Sequence, residues 1–394
     1  MQALTGITVL DCSRVLAGPY CAMLLGDLGA NVIKVEQPGR GDETRSWGPP
    51  FVGGESPYFW SANRNKRSLT LDLSRDEGRA ILRRLLAHSD IFIENYKVGT
   101  LDRWGFGEAE LRTINPRLVH TAITAYGADG PKAHLPGYDF LLQAESGLMS
   151  ITGEPDGEPM KAGVALVDVL TGVYAATSTL AALRAAETTG QGQRVDCSLL
   201  RSAIAGLINV GTSFLATEKL PTRWGNAHVT IVPYQLFAAS DQSFVLAVGN
   251  DDQWRRCCVV LGREEWSADP RFASNPQRVQ NRDQLIPLLK EIFQTRTAAD
   301  WLSALAAAKV PASPVNRLPQ VFADPQVQQQ QLRASVAHPG VGAIDLLGIP
   351  FALSETPAEI RLPPPLLGQH TQEILMEAGF TADEVMQWQS AGVV

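Results

Sequence analysis

The sequence predicts an α/β fold, with a large domain on a helix-flanked parallel sheet and a smaller α+β domain inserted in it. Three observations carry this. Residues 1–130 alternate short β-rich runs with helical patterns, the order that builds parallel sheets. A composition shift at "TEKLPTRWGNAH" introduces a segment with its own hairpin and amphipathic helices. A Pro-rich stretch near the end, "PPPLLGQHTQEILMEAG", then crosses back and closes on a short helix.

In chain order, "GITVLDCS" reads as a strand, "GPYCAMLLGDLGA" as a helix ending at Gly29, and "NVIKVEQP" as the next strand. "RSLTLDL" is a third strand. "SRDEGRAILRRLLAHSD" is a helix with Ser74 as its cap and acidic residues in its first turn. "IFIEN" and "PRLVHTAITAYG" are further strands. Residues 169–187 form a long Ala/Thr/Leu-rich helix stopped near "TTGQGQ", and "RVDCSLLRSAIAGLINVGTSFLA" gives a strand end and another helix. "PYQLFAAS" and "SFVLAVGN" pair as a hairpin around Ser240-Asp241, before helices at "RDQLIPLLKEIFQT" and "TAADWLSALAAAKV". The expected divisions are a large domain over 1–200, a linker over 201–224, a small α+β domain over 225–325, and a return to the large domain over 326–394.

At 394 residues the chain favours two or three domains, and 45% apolar with 19% charged residues is a globular balance. A formal net charge of −7 offers no broad basic field, which disfavours nucleic acid as a partner. The five cysteines show no C-x-x-C or framework spacing, as expected of a reducing compartment. The six histidines are scattered without H-x-x-x-H spacing, so no metal is expected. The opening residues lack the charged and apolar regions of a signal peptide, and no uninterrupted apolar run approaches ~18 residues. The expectation is a cytoplasmic protein with no membrane partner.

Open parallel sheets bind ligands beyond the carboxyl ends of their strands. That directs attention to "SRVLAGP", "EQPGRGDETR" and "ENYKVGTLDRWG". No G-x-G-x-x-G follows the first strand and no G-x-x-x-x-G-K-[ST] occurs, which disfavours a nicotinamide dehydrogenase or a P-loop enzyme. One carboxylate stands out. In "VALVDVLTGVYAATSTLAAL", Asp168 interrupts an apolar, small-residue run with no basic residue nearby in sequence. Burying a carboxylate without partners is costly, so Asp168 is either a helix N-cap or a reactive group, and the two roles are compatible.

Dispersed blocks along the whole chain resemble class III CoA-transferases, the family of formyl-CoA:oxalate and carnitine CoA-transferases. They include "SRVLAGP", "LGANVIKVEQPGRGDETR", "NRNKRSLTLDL", "IFIENYKVGTLDRWGFG", "PGYDFLLQAESGLMSITG", "VDVLTGVYAA", "GQGQRVDCSLL", "GNAHVTIVPYQLF" and "LLGQHT". The resemblance implies a Rossmann-like large domain and an interlocked homodimer. It implies that Asp168 is a nucleophile passing through an acyl anhydride and an aspartyl–CoA thioester. No prosthetic group is implied, since the CoA thioester is itself the substrate. By match to the family's CoA-contacting motifs, Val15, Ala17, Leu71, Asn95, Tyr96, Lys97, Arg103 and Tyr138 hold CoA. Tyr138 and Asp139 match positions beside the nucleophile, where an acidic neighbour influences ionisation.

The formyl-CoA enzymes have a glutamine where this chain has Leu16 and an arginine where it has Gln37. Their glycine-rich lid has no counterpart between 225 and 262. The resemblance is therefore nearer to the branch acting on succinyl-CoA and C5 dicarboxylates such as glutarate or itaconate. Arg45, Arg64 or His228 would hold the distal carboxylate there. One rival reading is a 2-methylacyl-CoA racemase, in which a histidine precedes the aspartate of "GHD". Here the triplet is "GYD", with Tyr138, and a phenol is a poor base. The other rival is a CoA-binding protein without turnover.

Overall fold

The computed structural model describes residues 1–394 as two compact units. The larger comprises Met1–Leu148, Ala162–Glu218 and Pro325–Val394; the smaller comprises Met149–Lys161 and Lys219–Asp324. The smaller unit thus includes thirteen residues, 149–161, that adjoin the large domain in sequence.

The larger unit is built on six parallel strands: β1 (Thr8–Asp11), β2 (Asn31–Glu36), β3 (Lys66–Thr70), β4 (Ile91–Glu94), β5 (Val119–Thr124) and β6 (Arg194–Ser198). Their order is β3-β2-β1-β4-β5-β6, the doubly wound arrangement. Strands β1, β2 and β4 are buried over nearly all their residues, so apolar side chains stand at consecutive positions and the charged ones among them, Asp11, Lys34, Glu36 and Glu94, are buried too. The chain reverses direction across the sheet between β1 and β4, where Val9 pairs with Ile91 on one side and Val32 on the other. The loops leaving β1 and β4 therefore diverge and open a crevice.

Three helices frame that crevice: α1 (Ala17–Asp27), α2 (Asp139–Glu145) and α3 (Leu166–Thr189). Helix α3 is apolar around most of its circumference, with a mean hydropathy of 1.5, and is long enough to pass as a membrane span. One face lies in the core: Val167, Thr171, Ala175, Thr179 and Ala182 are buried, and Thr179 exchanges a 2.7 Å hydroxyl hydrogen bond with Thr121 of β5. It crosses α1 closely at Gly172, where a Cβ would stand 2.8 Å from the Ala17 carbonyl oxygen and 3.0 Å from the Tyr20 ring. That close crossing brings the first turn of α3, and Asp168 with it, to the loop after β1. Gly190 ends α3 in the left-handed conformation, as a C-terminal glycine does.

The structure departs from sequence expectation in three places. Ser74 does not cap its helix, which spans Asp76–Ala87; its hydroxyl instead binds Asp72 at 2.6 Å. The helix expected after β6 is two, Leu199–Ala205 and Ile208–Thr217, bent by 76°. The C-terminal region contains an antiparallel hairpin that its sequence did not signal, β10 (Arg333–His338) with β11 (Gly342–Leu347), and a final helix over Ala382–Ser390.

The smaller unit has a three-stranded antiparallel sheet, β7 (Tyr234–Ala238), β8 (Ser243–Ala247) and β9 (Ala312–Pro314), in that order. The hairpin turns at Ser240-Asp241, with Ala238 opposite Ser243. Its core is an aromatic cluster of Phe237, Phe244, Phe293 and Trp301, packed tilted or edge-to-face at 4.9–6.5 Å.

Candidate active site

The crevice between the β1 and β4 loops holds two adjoining cavities. The smaller, about 190 Å³, is lined by Val15, Ala17, Asn95, Tyr96, Lys97, Tyr138 and Asp168, with Arg14, Glu43 and His134 completing its polar wall. The larger, about 840 Å³, runs toward β2 and β3 along Leu71, Ser74 and the loop carrying Arg40. Arg14, Tyr96 and Lys97 line both.

A layer of buried ion pairs fixes the β1 loop from below. Lys66 donates to Asp11 at 2.9 Å, to the Pro19 carbonyl at 2.8 Å and to Asn63 at 3.0 Å. Lys34 donates to Asp42 at 2.9 Å and to the Ser13 carbonyl at 3.0 Å. Burial alone would raise the Asp11 pKa, but the Lys66 and Lys34 ammoniums outweigh it and hold the carboxyl below its usual range. Burial weighs most on Lys66 and brings it down to about 8. Above this layer, Val15 stands at φ +71°, a strained conformation for a β-branched residue. Asn95 clamps the neighbouring residue from the β4 side: its side chain accepts from the Arg14 N–H at 2.9 Å and donates to the Arg14 carbonyl at 2.7 Å.

Asp168 is the third residue of α3, not its cap. The cap function belongs to Asp139, 29 positions earlier in sequence. Its Oδ1 accepts from the Val167 N–H at 2.7 Å and the Asp168 N–H at 3.1 Å. Gln143 secures that carboxylate, donating to Oδ2 at 2.5 Å while accepting from the Ala162 N–H at 2.9 Å. Asp168 has no ion-pair partner. Burial, and secondarily the charge of Asp139, push its pKa up to about 7. A carboxylate this basic and poorly hydrated is a better nucleophile than an ordinary one.

The other expected residues fall in different places. Leu71 is buried in the wall of the larger cavity, and Tyr138 is exposed at the rim of the smaller one. Arg103 is exposed, hydrogen-bonded to the Thr100 hydroxyl at 3.0 Å, and lines neither cavity. Arg45 and Arg64, expected as holders of a substrate carboxylate, are engaged in internal ion pairs instead of standing free in either cavity. Arg45 forks onto Glu36 with two 2.7 Å bonds, spends Nη1 on the Pro365 carbonyl, and stacks over Phe59. Arg64 forks onto Asp27 at 2.9 and 2.6 Å and spends Nη1 on the Leu347 carbonyl. His228 lies in the smaller unit, its Nδ1 accepting from the Thr230 N–H at 3.1 Å. No cluster of His, Cys, Asp and Glu is arranged to hold a metal ion.

Sequence reasoning missed Arg14, Glu43, His134 and the capping role of Asp139. Arg14 lies within a loop already singled out. His134 belongs to the loop after β5, which the same rule about carboxyl ends of strands would have included.

The sequence matches CoA-transferase family III over residues 4–371. The chain belongs to this family. Among its relatives, the mouse succinyl-CoA:glutarate CoA-transferase is 44% identical, over 96% of this chain and 86% of its own length. The Agrobacterium fabrum succinate–glutarate CoA-transferase is 43% identical, over 95% of each chain. A crystal structure of a CAIB/BAIF family protein from Brucella suis matches the fold with a TM-score of 0.85 and 42% identity, covering 96% of this chain and 99% of that one. This family III chain is a CoA-transferase, and CoA thioesters are its substrates.

Proposed function

We propose that this enzyme moves CoA from succinyl-CoA to a C5 dicarboxylate such as glutarate or itaconate, with Asp168 as the covalent nucleophile. The observation that carries the reading is Asp168 itself, an unpaired and poorly hydrated carboxylate facing a cavity at the switch point of the sheet. The names of the mouse and Agrobacterium relatives support succinyl-CoA and glutarate, while itaconate rests on its being another C5 dicarboxylate.

In this mechanism the Asp168 carboxylate attacks the thioester carbonyl of succinyl-CoA and expels CoA thiolate, leaving a mixed anhydride. The thiolate then attacks the aspartyl carbonyl, freeing succinate and forming the Asp168–CoA thioester. The acceptor's carboxylate displaces the thiolate to give a second anhydride. The thiolate finally attacks the acceptor's acyl carbonyl, releasing the new acyl-CoA and restoring Asp168. The adjoining larger cavity suits the nucleotide end of CoA: Arg14, Arg40 and Lys97 offer cations to its phosphates, and Leu71 an apolar wall.

The proposal includes a homodimer. The exposed faces of α2, α3 and the two helices after β6 carry Phe140, Leu141, Val173, Tyr174, Ile204, Ile208, Phe214 and Leu215, an apolar expanse suited to a partner subunit. It also includes a cytoplasmic setting, supported by five unbridged cysteines.

The test offers succinyl-CoA with a panel of acids and reads new CoA esters by mass. Peptides from enzyme caught mid-turnover should carry CoA on Asp168. Exchange of the α-proton in deuterated water without CoA migration would favour a racemase instead. CoA binding with no turnover on any acid would reduce the protein to a binder.

A further inference from the structure

Under the transfer reading just given, the acceptor places one carboxylate at Asp168 and must leave its second in the same small cavity. Two carboxylates held close together repel each other, so the second needs a donor from the cavity lining. With Arg45 and Arg64 committed elsewhere, the cation-forming side chains that line this cavity are Arg14, Lys97 and His134, all three exposed at its mouth. Arg14 already donates to Glu43 at 3.0 Å, and both Arg14 and Lys97 also face the larger cavity, where the phosphates of CoA need cations. His134 faces the small cavity alone.

The loop that carries His134 is held at both ends. On one side the Leu135 N–H donates to the Lys132 carbonyl at 2.9 Å, closing a turn around the histidine. Lys132 itself ion-pairs with Glu145 of α2 at 2.5 Å. On the other side Gly137 passes so close to the core that a Cβ would stand 2.6 Å from that of Ala125 and 2.8 Å from the Leu142 side chain. An imidazole has an N–H to donate in either protonation state, which suits it to hold a carboxylate.

We propose that His134 holds the distal carboxylate of the dicarboxylate acceptor and so makes the enzyme select dicarboxylic over monocarboxylic acids. The measurement is the ratio of kcat/KM for glutarate to that for pentanoate, which has the same chain length and lacks the second carboxylate, with succinyl-CoA as donor and the full-length enzyme. His134→Ala should lower that ratio roughly ten-fold or more, the worth of a hydrogen bond to a charged group, chiefly by raising KM for glutarate. His134→Lys, which restores a cation, should recover most of the ratio. A ratio unmoved by His134→Ala, or one lost only on Arg14→Ala or Lys97→Ala, overturns the assignment. So does deuterium exchange at the acyl α-carbon that disappears in His134→Ala, since the imidazole would then be acting as a base. If the wild-type enzyme transfers CoA to no acid of the panel, glutarate and itaconate included, the transfer reading has failed; if it transfers normally and only the ratio is indifferent to position 134, the failure is confined to His134.

Discussion

Replacing Asp139 by asparagine separates the two influences on Asp168. The pKa of Asp168 stands at about 7 against an ordinary 3.8, a gap of about three pH units, with burial the larger cause and the Asp139 charge the smaller. Asp139 therefore accounts for less than half of the gap. Its neutralisation should move the acid limb of kcat/KM down, by less than half of that gap. The sign follows from the chemistry: attack needs the carboxylate, so activity rises with pH through the pKa of Asp168, and removing a like charge lets it ionise sooner. Asparagine keeps an Oδ1 to accept from the Val167 and Asp168 N–H groups, so the start of α3 stays capped. Its amide nitrogen would face the Gln143 donor, at a cost of about 1–3 kcal/mol for the lost buried hydrogen bond. The assay is kcat/KM for succinyl-CoA from pH 5 to 9, with a urea titration beside it to report that cost. An acid limb that stays where it was, or moves upward, would refute the electrostatic role given to Asp139.

Other outcomes follow from the same geometry. Asp168→Asn should cut transfer by on the order of 10³-fold or more while the protein still folds and binds CoA; brisk transfer by this variant removes Asp168 from the mechanism. Because folding raises the Asp168 pKa, the native state holds its proton more tightly than the unfolded chain. Wild-type stability should therefore fall relative to Asp168→Asn as pH rises from about 4 to about 7, and urea midpoints that run parallel across that window would contradict this. Arg64→Met should cost about 3–5 kcal/mol by leaving Asp27 buried and unpaired; an unchanged urea midpoint with a raised KM for the acceptor would return Arg64 to the substrate. Gly172→Ala should cost about 1–3 kcal/mol by pressing on the Ala17 carbonyl and the Tyr20 ring. It should also lower kcat, because α1 and α3 must part where Asp168 meets the β1 loop; a normal kcat would argue against that dependence.

The strands and most helices were legible because their signals are local. Apolar runs bounded by turn residues marked β1 to β5, and a Gly after an apolar helix marked the end of α3. The hairpin β10–β11 was not: its positions alternate between exposed and more buried in the fold, but the residues that do so, RASVAH and GAIDLL, include small and polar ones that blur the pattern in sequence. The carboxylate at 168 stood out through its isolation in sequence, yet its position within α3 did not. Its neighbour Ala165 occupies the cap position without a capping side chain, and the substitute arrives from α2.

The sequence alone determined the alternation that makes a parallel sheet, the family to which the chain is similar, and the presence of one acid among apolar neighbours. Each of these is a property of residues adjacent in the chain or of blocks in a fixed order. Tertiary structure decided which charges remain available. Arg64 reads as a candidate ligand until folding brings Asp27, 37 positions away, to its guanidinium, and Arg45 until Glu36 closes on it. His134 gains interest only when the β5 loop turns it into the cavity of Asp168. Ion pairing and desolvation act through space over a few ångströms, and the spacing of residues along the chain does not encode which groups will come that close.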